Sequence, residues 1–472
     1  MESEYTELHE NLYKFLQEAI LISEKTANTQ EVLRRKYRVD IVNGTETIVP
    51  YDGIHWDDFH LIGNLQVISS LKSYEKVITT CKKIEQISQY DGKVLSALGT
   101  DRTFLIKNLP IHFLGTIIYL EKGYNLQKST FENIFSDFLT IFSVNHVSSA
   151  KIIVPINNIE VASPKINIED DDFQLRQLDL NEIAKILNDH PSFEFFYQPK
   201  LHGWFNHIIE LDVDFPWEFK DQLSGHEEAE NLIKSFGISS WIRDRINQEI
   251  IVMRAILNVP ISAQTYDIDY RGWLARNLGG QIYQLPWIRN YGHFSLSEES
   301  PKKYSKYRKE FLTIPNEKTK QRIFVAMRKL AFSMEKPYGG DEILDTISGL
   351  EGLLVNAKTE VSHQCAERAA ILTEQDIEKR IELQRQLKDA YGLRSAVAHG
   401  DVVIDDHDSI ISKRFTGQEN DYNKNIEKFI RLQNLRTISR NSLHKAILCC
   451  IDKKTTKFDW EKAIMGTSIN PY

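Results

Sequence analysis

The chain of 472 residues holds only four cysteines, Cys81, Cys365, Cys449 and Cys450. Thiols so few and so scattered exclude a disulfide framework and a four-thiolate zinc site. They read as reduced packing residues, with the adjacent Cys449 and Cys450 on different faces of a last helix. Long apolar runs are missing too. The longest, Leu109 to Leu120, contains His112 and Gly115 and falls short of the roughly 20 residues that a membrane span requires. The chain opens Met-Glu-Ser-Glu-Tyr-Thr-Glu, acidic where an export signal is basic and then apolar, so a cytoplasmic protein with no membrane partner is expected. Residues 1 to 300 contain no phosphate loop, dinucleotide fingerprint or nucleophile elbow. With 42% hydrophobic and 26% charged residues, the composition excludes a disordered chain and fits a soluble globular protein of more than one domain.

Charge is unevenly distributed. Residues 301 to 472 carry 30 Lys and Arg against 24 Asp and Glu, a net of +6, whereas residues 1 to 300 carry 28 against 42, a net of −14. Ten of the cations fall within residues 301 to 330, against Glu310 and Glu317 alone. There Lys302, Lys303, Lys306 and Arg308 interleave with Tyr304, Tyr307 and Phe311. Cations alternating with rings suit a single RNA strand, whose phosphates need charge and whose bases stack on aromatics. The same pattern also suits a solvated helix face at a domain junction.

The basic excess accompanies a second signal, Ala390 to Asp401, which places Arg394 and His399 five positions apart in a small, apolar run closed by Gly400. A guanidinium neutralises phosphate by paired hydrogen bonds, and an imidazole moves protons near neutral pH. On a regular helix, two positions five apart point roughly 140° from each other. Three arrangements remain open. The backbone departs from helical geometry before Gly400, or Arg394 and His399 from two subunits complete a shared cleft, or Arg394 lies in a surface ion pair and His399 near a helix C-terminus.

Tyr391, Arg394, Ser395, His399 and Gly400, preceded by Leu350-Glu351-Gly352-Leu353-Leu354 and by Glu367-Arg368-Ala369-Ala370, resemble the HEPN domains of the Apea-like type, which occur in bacterial anti-phage defence proteins. The resemblance covers roughly the last third of the chain. It implies an all-α bundle that dimerises around its Arg/His pairs and acts as an abortive-infection endoribonuclease needing neither metal nor cofactor. By this carry-over His399 transfers protons, Arg394 clamps phosphate, Ser395 fills the polar position after the arginine, and Tyr391, Gly400 and Arg368 are structural. Many members add an acidic residue from an earlier helix. Asp345, Glu351 and Glu360 are available, and spacing does not choose among them. Glu351 lies beside a leucine stripe where a carboxylate needs a cation, and Arg368 offers one. The expected substrate is RNA, transfer RNA (tRNA) being one candidate, with the acidic N-terminal region restraining the nuclease until a phage-derived activator binds. The competing expectation is a non-catalytic HEPN module that binds RNA or a nucleotide.

The remainder predicts an α+β region over 1–300 with a mixed or antiparallel sheet, in two subdomains at about 1–148 and 149–300, followed by the helical domain at 301–472. Leu8, Leu12, Phe15 and Ile20 predict a helix over Glu2 to Lys25, and Val39, Ile41, Thr45, Thr47 and Val49 around Asn43-Gly44 predict a hairpin. Strands are predicted at Lys151–Ile156, Phe193–Tyr197, His207–Val213 and Ile250–Val259, a surface loop at Ile168–Asp172, and a helix at Leu180–Leu187 capped near Asp179. His55, Asp57, Asp58 and His60, and separately His202 and His207, are ligand types without an anchored third partner, so no metal is assigned. The most regular stripe, Ile343, Leu344, Ile347, Leu350, Leu353 and Leu354, predicts a helix capped by Asp341.

Overall fold

Helix α1 (Glu2–Ala27) turns Leu8, Leu12, Phe15, Leu16 and Ala19 to one buried side, as their three- and four-residue spacing requires. The structure, a computed structural model, describes residues 2–27, 33–42, 45–54, 65–97, 100–121, 123–142, 147–156, 159–161, 167–170, 173–189, 207–221, 242–263, 265–270, 273, 283–284, 294–297, 299–336, 339–356, 359–399 and 419–464. They fall into two units. The first comprises Met1–Ile156, Asp171–Asp244 and Ala263–Pro286, and the second Asn157–Asp170, Arg245–Ser262 and Trp287–Tyr472. The helical unit therefore takes in residues 157–170, 245–262 and 287–300 from the chain before residue 301.

In the first unit α1 packs on α2 (Lys72–Lys83) and α3 (Leu109–Glu121), and α4 (Lys128–Thr140) adds Phe131 and Phe138 to the same core. Phe113 and Phe138 meet edge to face, their centroids 5.1 Å apart, the geometry that aromatic quadrupoles favour. The hairpin of β1 (Leu33–Val42) and β2 (Thr45–Ile54) pairs Val42 with Thr45 and Val39 with Ile48. Directly opposed residues share a face. Val39 and Ile41 thus lie with Ile48, and Thr47 and Val49 are on the other side of this hairpin, which forms where it was predicted.

Strands β3 (Val94–Ala97) and β4 (Thr100–Thr103) form one end of the larger sheet, and β5 (Val147–Ile156) lies near its centre. Past β6 (Ile159–Val161) and β7 (Asn167–Asp170), the chain adds β8 (Phe173–Gln177) and helix α5 (Leu180–Asp189), then returns as β9 (His207–Lys220). β9 is antiparallel to β5 along one side and to β8 and then β3 along the other. Its Ile209, Leu211, Val213 and Phe215 are buried while Asp212 and Asp214 face out, the period-2 pattern of a half-covered strand. β10 (Thr265–Tyr270) and β11 (Tyr283–Gln284) complete the sheet beyond β5. The cap at Asp179 is present: Asp179 Oδ1 accepts the Glu182 N–H at 2.8 Å, and Glu182 Oε2 accepts the Asp179 N–H at 2.9 Å.

Two secondary-structure assignments fail. Residues 250–257 belong to helix α6 (242–257), not to a strand. Ile250, Val252, Met253, Ala255 and Ile256 are all buried, and a helix apolar on most sides reads as a buried strand because no polar face marks its period. Residues 168–170 of the predicted acidic loop belong to strand β7. Phe193–Tyr197, His55–His60, His202 and Gly400 lie outside the described residues.

The second unit continues with β12 (Phe294–Leu296), parallel to β6, and then helices α7 (Ser300–Leu312), α8 (Glu317–Ser333), α9 (Gly339–Leu354), α10 (Val361–Thr373), α11 (Ile377–Ala398), α12 (Glu419–Asp452) and the short α13 (Trp460–Ile464). Helix α9 is central, packing on α8, α10, α11 and α12. It starts two residues before Asp341, which therefore lies in the first turn and does not cap it. Gly349 permits the closest approach: a Cβ there would stand 2.7 Å from Leu443 Cδ2. The buried Glu342 binds Arg436, with Arg440 Nη1 3.7 Å away, tying α9 to α12.

Candidate active site

Helix α11 begins at an Asp376 cap, whose Oδ1 accepts the Lys379 N–H at 2.9 Å, and ends at His399. His399 keeps right-handed backbone angles, and its N–H donates to the Ser395 carbonyl at 3.0 Å. The backbone is thus helical through His399, which removes the arrangement in which distortion brings Arg394 and His399 onto one face. Arg394 turns inward along α11, and His399 is exposed at its end.

Arg394 Nη2 lies 3.5 Å from Glu351 Oε2 on α9, with side chains 27% and 31% exposed, so solvent reaches both. The guanidinium carbon is 5.5 Å from the centre of the Tyr391 ring, cation–π distance on the same helix. Tyr391 in turn hydrogen-bonds Glu351. Burial, then the Glu351 charge, raise the Tyr391 hydroxyl pKa and keep the ring protonated. Arg394 Nε is buried without a hydrogen-bond partner. Beneath the pair, burial pushes the Cys365 thiol up to about 12, and Glu351 pushes it the same way. It is an inert packing group, like the three other buried free cysteines.

Of the acidic candidates, the structure brings Glu351 alone to Arg394. Asp345 is held elsewhere, by Lys329 Nζ at 2.8 Å and Lys336 Nζ at 3.6 Å, and Glu360 immediately precedes α10 with a left-handed φ of +54°. The predicted Glu351–Arg368 pair does not form. Arg368 Nη1 donates to the Leu354 carbonyl at 2.8 Å, and the guanidinium stacks over Trp460 at 5.0 Å. The last turn of α9 has carbonyls with no helical partner, and these capture the cation. Arg322 does the same through Nε to Gly352 O at 2.6 Å and Nη2 to Val355 O at 2.8 Å. Two arginines therefore fix the turn that presents Glu351. Arg322 escaped sequence reasoning, which counted it only within a cationic run. Ser395 is partly buried and contributes its carbonyl to the helix end.

The predicted RNA-binding segment is helix α7, and most of its named residues are committed within the fold. Tyr304 is fully buried and donates to Glu249. Arg308, 1% exposed, donates to the same carboxylate through Nε at 2.6 Å and Nη2 at 3.2 Å. Tyr307 donates to Asp452 at 3.0 Å, Lys306 reaches the same Asp452 at 3.2 Å, and Lys303 approaches His444 at 3.4 Å. Lys302 is exposed. Tyr304, Arg308 and Phe311 recur at helical spacing and turn inward together, so Tyr304 and Arg308 cannot serve as an open RNA platform. Glu249 was missed because its helix was read as a strand. The signal was present in Arg245 and Glu249, an i,i+4 pair at 3.2 Å.

His207 is buried in β9, and burial lowers its imidazole to about 4, leaving it neutral. Among the described residues, no three His, Cys, Asp or Glu side chains are grouped to hold a metal, and no helix is long and apolar enough to cross a membrane. No protein-family profile, curated protein or solved structure matches the chain.

Proposed function

We propose that the helical unit is a HEPN-type, metal-independent endoribonuclease of anti-phage defence, acting as a homodimer. The observation that carries the reading is Arg394, held between Glu351 and Tyr391 yet open to solvent, on the helix that ends in the exposed His399. In this reaction the ribose 2′-hydroxyl attacks the adjacent phosphorus. His399 imidazoles take the proton from that hydroxyl or give one to the departing 5′-oxygen, and the products are a 2′,3′-cyclic phosphate and a 5′-hydroxyl. Arg394 stabilises the charge that builds on the non-bridging oxygens, and Glu351 and Tyr391 hold the guanidinium in place. Because Arg394 and His399 of one helix diverge by about 140°, a complete cleft takes Arg394 from one copy and His399 from another. The acidic N-terminal portion restrains the nuclease until a phage-derived signal arrives, a role supported by the opposite net charges of residues 1–300 and 301–472.

End chemistry tests the reaction. Full-length protein incubated with tRNA in EDTA should leave fragments ending in 2′,3′-cyclic phosphate, and the same sequence as DNA, which lacks the nucleophile, should stay intact. Retention of RNA without cleavage would instead support a binding module.

A further inference from the structure

Tyr304, Arg308 and Phe311 turn into the fold and not onto an open surface, and where they point suggests another use. Helices α6, α7 and α8 line a half-open pocket of about 350 Å³ within the second unit. Small-ligand sites span roughly 300–1,000 Å³, so this space has the size of one small molecule. Its lining carries three cations, Arg245, Arg308 and Lys320, against two acids, Glu249 and Glu317.

We propose that this cavity binds a single nucleoside phosphate. Arg308 is committed to Glu249 at the floor and shapes the site from below. The phosphate-binding groups are the partly exposed Lys320 and Arg245, the latter also paired through Nη1 with Glu249 Oε2 at 3.2 Å. Lys320 donates from Nζ to the Leu312 carbonyl at 3.2 Å and lies 5.8 Å from the Phe311 ring centre, which fixes the ammonium at the rim. An anion there gains charge-assisted hydrogen bonds from both cations. The opposite requirement, an apolar face for a flat ring, is met by Val252, Phe311 and Phe324. Phe311 and Phe324 stack with centroids 6.4 Å apart and planes 25° from parallel; Phe311 is buried and Phe324 partly exposed, so Phe324 presents a face to a base. Gln248 and Gln321, both exposed, line the cavity as well, and a carboxamide carries the donor and acceptor pair that reads a base edge. Cation, ring and amide together select a nucleotide over free phosphate or a free base. The inference is independent of the ribonuclease reading, since none of these residues lies at Arg394 or His399.

The test is calorimetric titration of the full-length protein with the common nucleoside mono- and triphosphates, the matching nucleosides and inorganic phosphate. Saturable one-site binding of at least one nucleotide is expected, with nucleoside and phosphate each at least about tenfold weaker, since one charged hydrogen bond is worth about that factor. Lys320→Gln and Arg245→Gln should each weaken binding about tenfold, and Phe324→Leu should also weaken it, with melting curves checking that each variant is folded. Arg394→Ala should bind as the parent does. Absence of binding by every nucleotide overturns the proposal. So does unchanged affinity in all three folded cavity variants, or loss of binding in Arg394→Ala, which would place the ligand at the other site.

Discussion

Arg394 and Glu351 face each other at 3.5 Å across helices α11 and α9, and the pair forms where a Glu351–Arg368 bridge was expected. Both side chains keep more than a quarter of their surface in water, so the pair adds under about 1 kcal/mol to stability. In the proposed reaction its value is positional. Glu351→Gln should leave urea unfolding within about 1 kcal/mol of the parent while lowering RNA cleavage about tenfold, because a misplaced phosphate clamp costs rate. Equal losses of stability and activity would show that Glu351 is only structural.

The arginines that cap α9 act one step further out. Arg322→Ala removes three hydrogen bonds, to Gly352 O, Val355 O and Asn356 Oδ1, and should destabilise the protein by about 1–3 kcal/mol in chemical denaturation. Cleavage should fall with kcat while KM for RNA is little changed, since Arg322 acts on Glu351 and not on substrate.

Truncation probes the unit boundary. Arg308 and Tyr304 depend on Glu249, 59 and 55 positions earlier, so a fragment of residues 301–472 loses the acid that holds both. Stranding a buried arginine costs about 3–5 kcal/mol. The fragment should show no cooperative thermal transition, whereas full-length protein should.

His444 gives a pH dependence. Its Nε2 lies 3.0 Å from the Ile256 carbonyl, which takes the ring N–H, and burial, followed by the Lys303 charge, lowers its pKa to about 4. The folded value is below the unfolded one, so the unfolded chain binds the proton more readily. Stability contributed by the neutral ring is complete above about pH 6.5 and is lost by about 1.4 kcal/mol per unit as pH falls towards 4. His444→Gln should flatten this part of the stability curve, and an unchanged slope would contradict the assignment.

What could be read in advance follows from where the determining contacts lie. Helix α9 and the strand β9 were legible because each has one polar and one apolar side in a local period. The central face of α6 was not, since buried residues on most sides leave no period to detect. The site was legible as a pair of residue types on one helix, Arg394 and His399, but not in its partners. Glu351 and Arg368 are 17 positions apart and both charged, and only the C-terminal carbonyls of α9 decide that Arg368 goes to Leu354 and leaves Glu351 to Arg394. The cationic run from Lys302 was legible as composition, and the inward turn of Tyr304 and Arg308 within it depended on Glu249 far upstream.

A shared cleft makes a further prediction. Arg394→Ala and His399→Ala proteins should each be inactive, but mixed and allowed to exchange subunits they should recover about a quarter of parent activity, as half of the dimers carry one complete cleft of two. No recovery would mean that each chain uses its own pair.

The most direct measurement is the initial rate of tRNA cleavage in EDTA by the parent protein and by His399→Ala at equal concentration. Loss of the imidazole should lower the rate by on the order of 10² to 10⁴ with the melting temperature unchanged. Cleavage at the parent rate by the folded His399→Ala protein would contradict the account.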